Sequence, residues 1–183
     1  MEHNIFYKLL DEALSRQELI SIYTDKENTE EFAAGFLISI NKEFVLLKSI
    51  SPNGKEDGIE VINFNEIYEL SFDDFYLKQL KYLFKHSNEL IYKKEINFCE
   101  KETNFYEILY KFKENKSLIA FVLYNKIVHI GVVNDIDNEY VLLQEINEKG
   151  KEDGFSCFKI YDIIKIYSDD EKLRKIDLLR KFE

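Results

Sequence analysis

The chain has 183 residues: 45% hydrophobic, 33% charged and 15% aromatic, with six glycines and one proline. This is the composition of a folded globular chain. It holds no apolar run near the roughly 20 residues of a membrane-spanning helix, no basic-then-apolar leader in Met1-Glu2-His3-Asn4, and, in Cys99 and Cys157, too few cysteines for a disulfide framework or structural zinc module. Twenty-five Lys and Arg against 35 Asp and Glu give a net charge of −10, which makes nucleic acid an unlikely partner because phosphate neutralisation supplies most of such affinity.

The elements follow from periodicity. Asn4–Arg16 places Ile5, Phe6, Leu9, Leu10 and Ala13 on one helical face. Leu19–Tyr23 is rich in β-formers and reads as a strand. Thr24–Glu31 is polar and reads as a loop. Phe32, Ala34, Phe36, Ile38 and Ile40 alternate, which points one face inward. Glu43–Ser49 carries Phe44-Val45-Leu46-Leu47, apolar on both faces, and predicts a central strand. Ile59–Phe64 and Ile67–Phe72 predict two further short strands. Asp73 then opens a helix with a Leu77, Leu80, Leu83 and Phe84 stripe that ends at His86.

The same order returns in the second half. At an offset of 96, residues 35–85 contain 18 identities in 51 positions without a gap. Val45-Leu46-Leu47 falls on Val141-Leu142-Leu143, Gly54-Lys55-Glu56-Asp57-Gly58 on Gly150-Lys151-Glu152-Asp153-Gly154, and Asp73-Asp74 on Asp169-Asp170. All six glycines form three equivalent pairs. Upstream the match continues at 99, with Leu19-Ile20 on Leu118-Ile119. The expected division is a first repeat over 1–87, a connector over 88–102 and a second repeat over 103–183. Leu90-Ile91-Tyr92 in the connector reads as strand or helix, and Ser168 with Glu171 fits a capping box.

Five short antiparallel strands behind an opening helix predict a mainly β, α+β chain. Each repeat is expected to close into a five-stranded barrel with an N-terminal and a C-terminal helix, the two barrels being pseudo-two-fold related. Gly35 and Gly131, inside alternating strands, supply the bends that small barrels need.

The repeated pattern Gly35…Glu43-Phe44-Val45-Leu46-Leu47…Ile50…Gly54-Lys55-Glu56-Asp57-Gly58…Ile67 resembles an uncharacterised family of bacterial tandem repeat proteins. More distantly it resembles Sm-like and SH3-like small barrels. The resemblance implies a fold rather than an activity. An Sm-like RNA site would use Asn41-Lys42-Glu43-Phe44 and Asp137-Asn138-Glu139-Tyr140, but the accompanying Arg-Gly or Lys-Gly pair is missing from Ile67–Phe72 and Ile163–Tyr167.

Candidate chemistry is sparse. The Lys55-Glu56-Asp57 and Lys151-Glu152-Asp153 segments read as turns and, functionally, as partner-contact loops; two carboxylates fall short of the six or so oxygens calcium wants. Asp73-Asp74 and Asp169-Asp170 are paired acids, read as helix caps before acid–base groups. His3, His86 and His129 are dispersed, Cys157 aligns with Val61 as a small core residue, and Cys99 lies in the connector. Tyr82, Tyr92, Tyr106 and Tyr110 are expected to dock the two repeats. The leading expectation is a non-catalytic cytoplasmic protein-interaction module, without metal or cofactor, monomeric or homodimeric, off the membrane and bound to another protein. The alternatives are an acidic nucleic-acid mimic that inhibits a nucleic-acid enzyme, and an Sm-like RNA-binding protein.

Overall fold

The computed structural model describes residues 5–28, 30–86 and 104–180. Helix α1, Ile5–Arg16, turns Leu10 and Ala13 inward. It stops where Gln17 takes a left-handed backbone and Glu18 N–H donates to Ala13 O at 2.9 Å. Strands β1 (Leu19–Tyr23), β2 (Ala33–Ile40), β3 (Phe44–Ile50), β4 (Glu56–Asn63) and β5 (Glu69–Phe72) follow, and α2 (Phe75–His86) completes the first repeat. The second repeat runs α3 (Phe105–Glu114), β6 (Leu118–Leu123), β7 (Val128–Ile136), β8 (Tyr140–Ile146), β9 (Glu152–Lys159), β10 (Ile163–Ser168) and α4 (Glu171–Arg180).

Register repeats along with sequence. Gly35 pairs with Ser49 as Gly131 pairs with Glu145, and both β2–β3 and β7–β8 carry an irregularity, between Leu37 and Ser39 and between Val133 and Asp135. A Cβ on Gly35 would run into the carbonyl of Lys48, and one on Gly131 into that of Gln144, so the bare glycine lets the two strands approach closely. Ile20 faces Phe72 across β1–β5 as Ile119 faces Ser168 across β6–β10.

The chain separates into two units, described in turn. The first comprises residues 5–28, 30–57 and 64–86 and carries the sheet β5-β1-β2-β3. Leu77 and Leu80 of α2 bury against Leu19, Ala34 and Ile50, with Phe32, Phe36, Tyr76 and Phe84 around them. Helix α1 packs on β2. The second unit comprises residues 58–63 and 104–180 and carries the sheet β4-β10-β6-β7-β8-β9. Leu173 and Ile176 of α4 bury against Leu118, Ala120 and Ile146. Leu118, Ile146, Leu173 and Ile176 are the counterparts of Leu19, Ile50, Leu77 and Leu80, so each repeat uses these four positions for the same helix–sheet contact, while Ala120 matches Ser21 and Ala34 matches Ile130. Helix α3 packs on β7 and buries Ile108, Leu109 and Phe112.

The two closed five-stranded barrels predicted from sequence are not formed. The strands instead lie in open antiparallel order, β5-β1-β2-β3 in the first unit and β4-β10-β6-β7-β8-β9 in the second. A barrel would require β4 to pair with β5. The outer edge of β4 is taken by β10, with Ile59 opposite Ser168, Glu60 opposite Tyr167, Val61 opposite Ile166 and Ile62 opposite Lys165. Strand β10 therefore has neighbours on both sides, β4 and β6, while β5 pairs with β1 alone among the described residues.

The helix starts also differ in detail. Ser168 is the buried last residue of β10 and not a cap. Asp170 Oδ1 accepts the Leu173 N–H at 2.7 Å, and Asp74 Oδ1 accepts that of Leu77 at 2.7 Å. A reciprocal capping box occurs at α3, between Asn104 and Glu107. His3, the connector segment with Leu90-Ile91-Tyr92, and Cys99 lie outside the described residues.

Candidate interaction edge

The predicted contact segments divide between turn and strand. Ser51 N–H donates to Lys55 O at 2.8 Å, and Asn147 N–H to Lys151 O at 2.9 Å, so each turn closes just before the acidic pair. Lys55 and Lys151 sit at the turn ends and are exposed. Glu56 and Asp57 begin β4, and Glu152 and Asp153 begin β9. Glu56 pairs with Lys48 at 2.6 Å. The repeated acids are thus the first rungs of equivalent strands in different surroundings, β4 flanked by β10 and β9, among the described residues, an outer strand.

That difference shows residue by residue. Val61 on β4 is 1% exposed, whereas its counterpart Cys157 on β9 is an exposed free thiol. The expectation that Cys157 is a core residue, drawn from Val61, fails for this reason. Ile59 is partly buried, whereas Phe155 is 61% exposed. On β9, Ser156 and Phe158 lie opposite the buried Leu143 and Val141, while Phe155 and Cys157 lie opposite Gln144 and Leu142 on the other face. Phe158 is held inward by Phe121 (centroids 5.0 Å apart) and by the stacked ring of His129 at 5.3 Å. His129 Nδ1 is 2.6 Å from Glu145 Oε1, so this histidine is spent on a cross-strand contact.

Charge brackets the edge without entering its middle. Glu152 and Asp153 lie at one end and Lys159 at the other; Phe155-Ser156-Cys157-Phe158 between them has none. The Lys159 ammonium is held above its ordinary value, first by its hydrogen bond to the Tyr161 hydroxyl at 3.4 Å and also by the nearby Tyr140. Edge strands are normally blunted by central charges, prolines or bulges. The chain's one proline, Pro52, is elsewhere, and the irregularity of the β8–β9 pair falls at the Glu152 end, between the Gln144–Phe155 and Ile146–Glu152 rungs.

The remaining candidates have structural partners. Asn41 Oδ1 accepts the N–H groups of Glu43 and Phe44 at 2.8 and 2.9 Å, and Asp137 Oδ1 those of Glu139 and Tyr140 at 2.8 and 2.7 Å. The segments matching the first part of an Sm-like RNA site are therefore self-closed turns. The Tyr106 hydroxyl donates to Asn138 O at 2.5 Å, Tyr82 stacks on His86 at 4.2 Å, and Tyr110 is exposed; Tyr92 is outside the described residues. Among the described residues no three His, Cys, Asp or Glu side chains gather as a metal site, and no helix is long and apolar enough to cross a membrane. Sequence alone carries one faint sign of the edge. After the well-kept Gly54–Gly58 segment, the repeat keeps no identity between Ile59–Glu66 and Phe155–Asp162, the stretch in which Ile59 and Val61 become Phe155 and Cys157.

No protein-family model, curated protein or solved structure matches this chain.

Proposed function

We propose that this chain is a non-catalytic protein-interaction module of the cytoplasm whose contact element is the outer edge of β9. The observation that carries the reading is an outer strand whose middle, Phe155–Phe158, holds no charge, no proline and no irregularity of register, with Phe155 and Cys157 exposed on one face. An extended segment of a protein partner can add to such an edge through main-chain hydrogen bonds, with the apolar side chains giving selectivity. The exposed free thiol of Cys157 fits a reducing compartment. The nucleic-acid mimic is the weaker reading. A phosphate-like stripe needs uninterrupted carboxylates, whereas Glu56, Asp73, Asp135 and Glu148 each lie within 3.2 Å of a lysine ammonium.

Affinity capture from host extract, comparing the native chain with Phe155→Lys, tests this. A lysine in mid-edge blocks strand addition without touching the core. The reading predicts that a protein identified by mass spectrometry is retained by the native chain and lost by the variant. Equal retention of every protein by both chains would contradict it.

A further inference from the structure

Gly58 and Gly154 are equivalent in sequence and share a left-handed backbone, with φ of +80° and +84°. Their surroundings differ. A Cβ on Gly58 would strike the carbonyl of Ser168 and the backbone of Asp169 and Asp170, the corner where β10 turns into α4. A Cβ on Gly154 would meet nothing within 4 Å. A close-packed backbone contact that calls for glycine is therefore made in one copy and left open in the other.

The receiving corner also exists twice. Asp169 has φ +60° and Asp170 caps α4; Asp73 has φ +52° and Asp74 caps α2. At the first corner β10 is paired by β4, and Gly58 packs against it. At the second, β5 has β1 on one side and no strand on the other among the described residues. Among the described residues the chain thus carries an outer strand, β9, that is the repeat counterpart of β4, and an outer strand, β5, that is the repeat counterpart of β10.

We propose that β9 of one copy pairs antiparallel with β5 of a second copy, in the register that β4 and β10 already use. Translated through the repeat, that register sets Phe155 opposite Phe72, Ser156 opposite Ser71, Cys157 opposite Leu70 and Phe158 opposite Glu69, with Gly154 against the Phe72–Asp74 corner. The proposal rests on the reading of β9 as an interaction edge and names its occupant. Phe155 gains an aromatic cross-strand partner, and Cys157 loses its exposure to Leu70. Each copy offers one β9 and one β5, so the contact is head-to-tail, and the assembly closes into a ring or grows as an open chain.

Two measurements test this on the full-length chain. Directly opposed residues in an antiparallel pair have Cα atoms about 4.5–5.5 Å apart, within the roughly 4.4–6.8 Å span of a disulfide. In a Cys99→Ser background, Leu70→Cys treated with oxidised glutathione should give disulfide-linked multimers through Cys157. Adding Cys157→Ser should remove them, and Ser71→Cys in place of Leu70→Cys should give far fewer. Light scattering of the native chain should show a mass above 21.9 kDa that falls to 21.9 kDa in Phe155→Lys. A native chain that stays at 21.9 kDa at its highest soluble concentration, with no linked multimer from Leu70→Cys, overturns the proposal. If Phe155→Lys nonetheless loses a different protein from host extract, the interaction edge stands and only the second copy falls. If that variant alters neither, both fall.

Discussion

Lys113 Nζ stands 2.7 Å from Asp135 Oδ1, which ties the last turn of α3 to the irregular stretch of β7. The same carboxylate oxygen accepts the Ile136 N–H at 2.9 Å. The first repeat has Leu14 and Ser39 at the corresponding places, so this link belongs to the second unit alone.

The hydrogen bond from Lys113, then that from Ile136, hold the Asp135 carboxyl below its ordinary value. The unfolded chain takes up this proton first as pH falls, so the contribution is complete above pH ~4 and fades as pH drops through the lower folded value. Urea denaturation of the native chain and Asp135→Asn should differ near neutrality and converge in acid. A gap that stays constant, or widens in acid, would show that the bridge does not contribute in this way.

Asp74 and Asp170 accept the N–H of the third residue of their helices, and their role is to cap. Replacing either with Ala should cost about 1 kcal/mol of stability. The positions are equivalent and lie in separate units, so the double variant should lose about the sum. Chemical denaturation measures both; a loss near zero would remove the capping assignment.

Gln17 and Lys116 end α1 and α3 with φ of +51° and +48°, and the backbone of the next residue reaches back to Ala13 O and Phe112 O at 2.9 and 3.1 Å. Glycine is the residue that this helix ending favours. Gln17→Gly and Lys116→Gly should each raise stability by about 0.5–1 kcal/mol, because a left-handed L-residue costs roughly 1–2 kcal/mol and glycine returns part of that in chain entropy. Thermal melts that fall instead would speak against the assignment.

Gly58→Ala and Gly154→Ala share the backbone penalty, of order 1 kcal/mol. Gly58→Ala also forces the β10–α4 corner away from its added methyl group, which should add about 1–3 kcal/mol. The second penalty is absent for Gly154→Ala in the separated chain. Denaturation of dilute samples should therefore rank Gly58→Ala well below Gly154→Ala; equal losses would contradict the difference in surroundings.

The duplication, the order of elements and the need for glycine at Gly35 and Gly131 were legible because each is local, although these glycines serve close strand approach and not barrel closure. Identical residues at a fixed offset imply equivalent backbones, and alternation or helical spacing names the element. Closure was not legible. Val61 and Ile62 read as interior strand residues whether β5 or β10 lies beside them, since a buried strand's pattern says that it has neighbours and not which ones. Ser168 misled for a related reason. It and Glu171 have capping-box spacing, but the helix begins two residues later than that cap requires, behind Asp169 and Asp170. Cys157 was misplaced because equivalence to Val61 carries over the strand and not the strand's neighbours.

The outer edge of β9 as the contact element is tested most directly by amide hydrogen exchange across Glu152–Lys159 as the protein is diluted. Strand β4 serves as the internal reference, being flanked within its own unit by β10. The account predicts that β9 is protected in concentrated protein and exchanges faster on dilution, while β4 stays protected throughout. Exchange of β9 that is independent of concentration, in native chain and Phe155→Lys alike, would contradict pairing of this edge with a second copy.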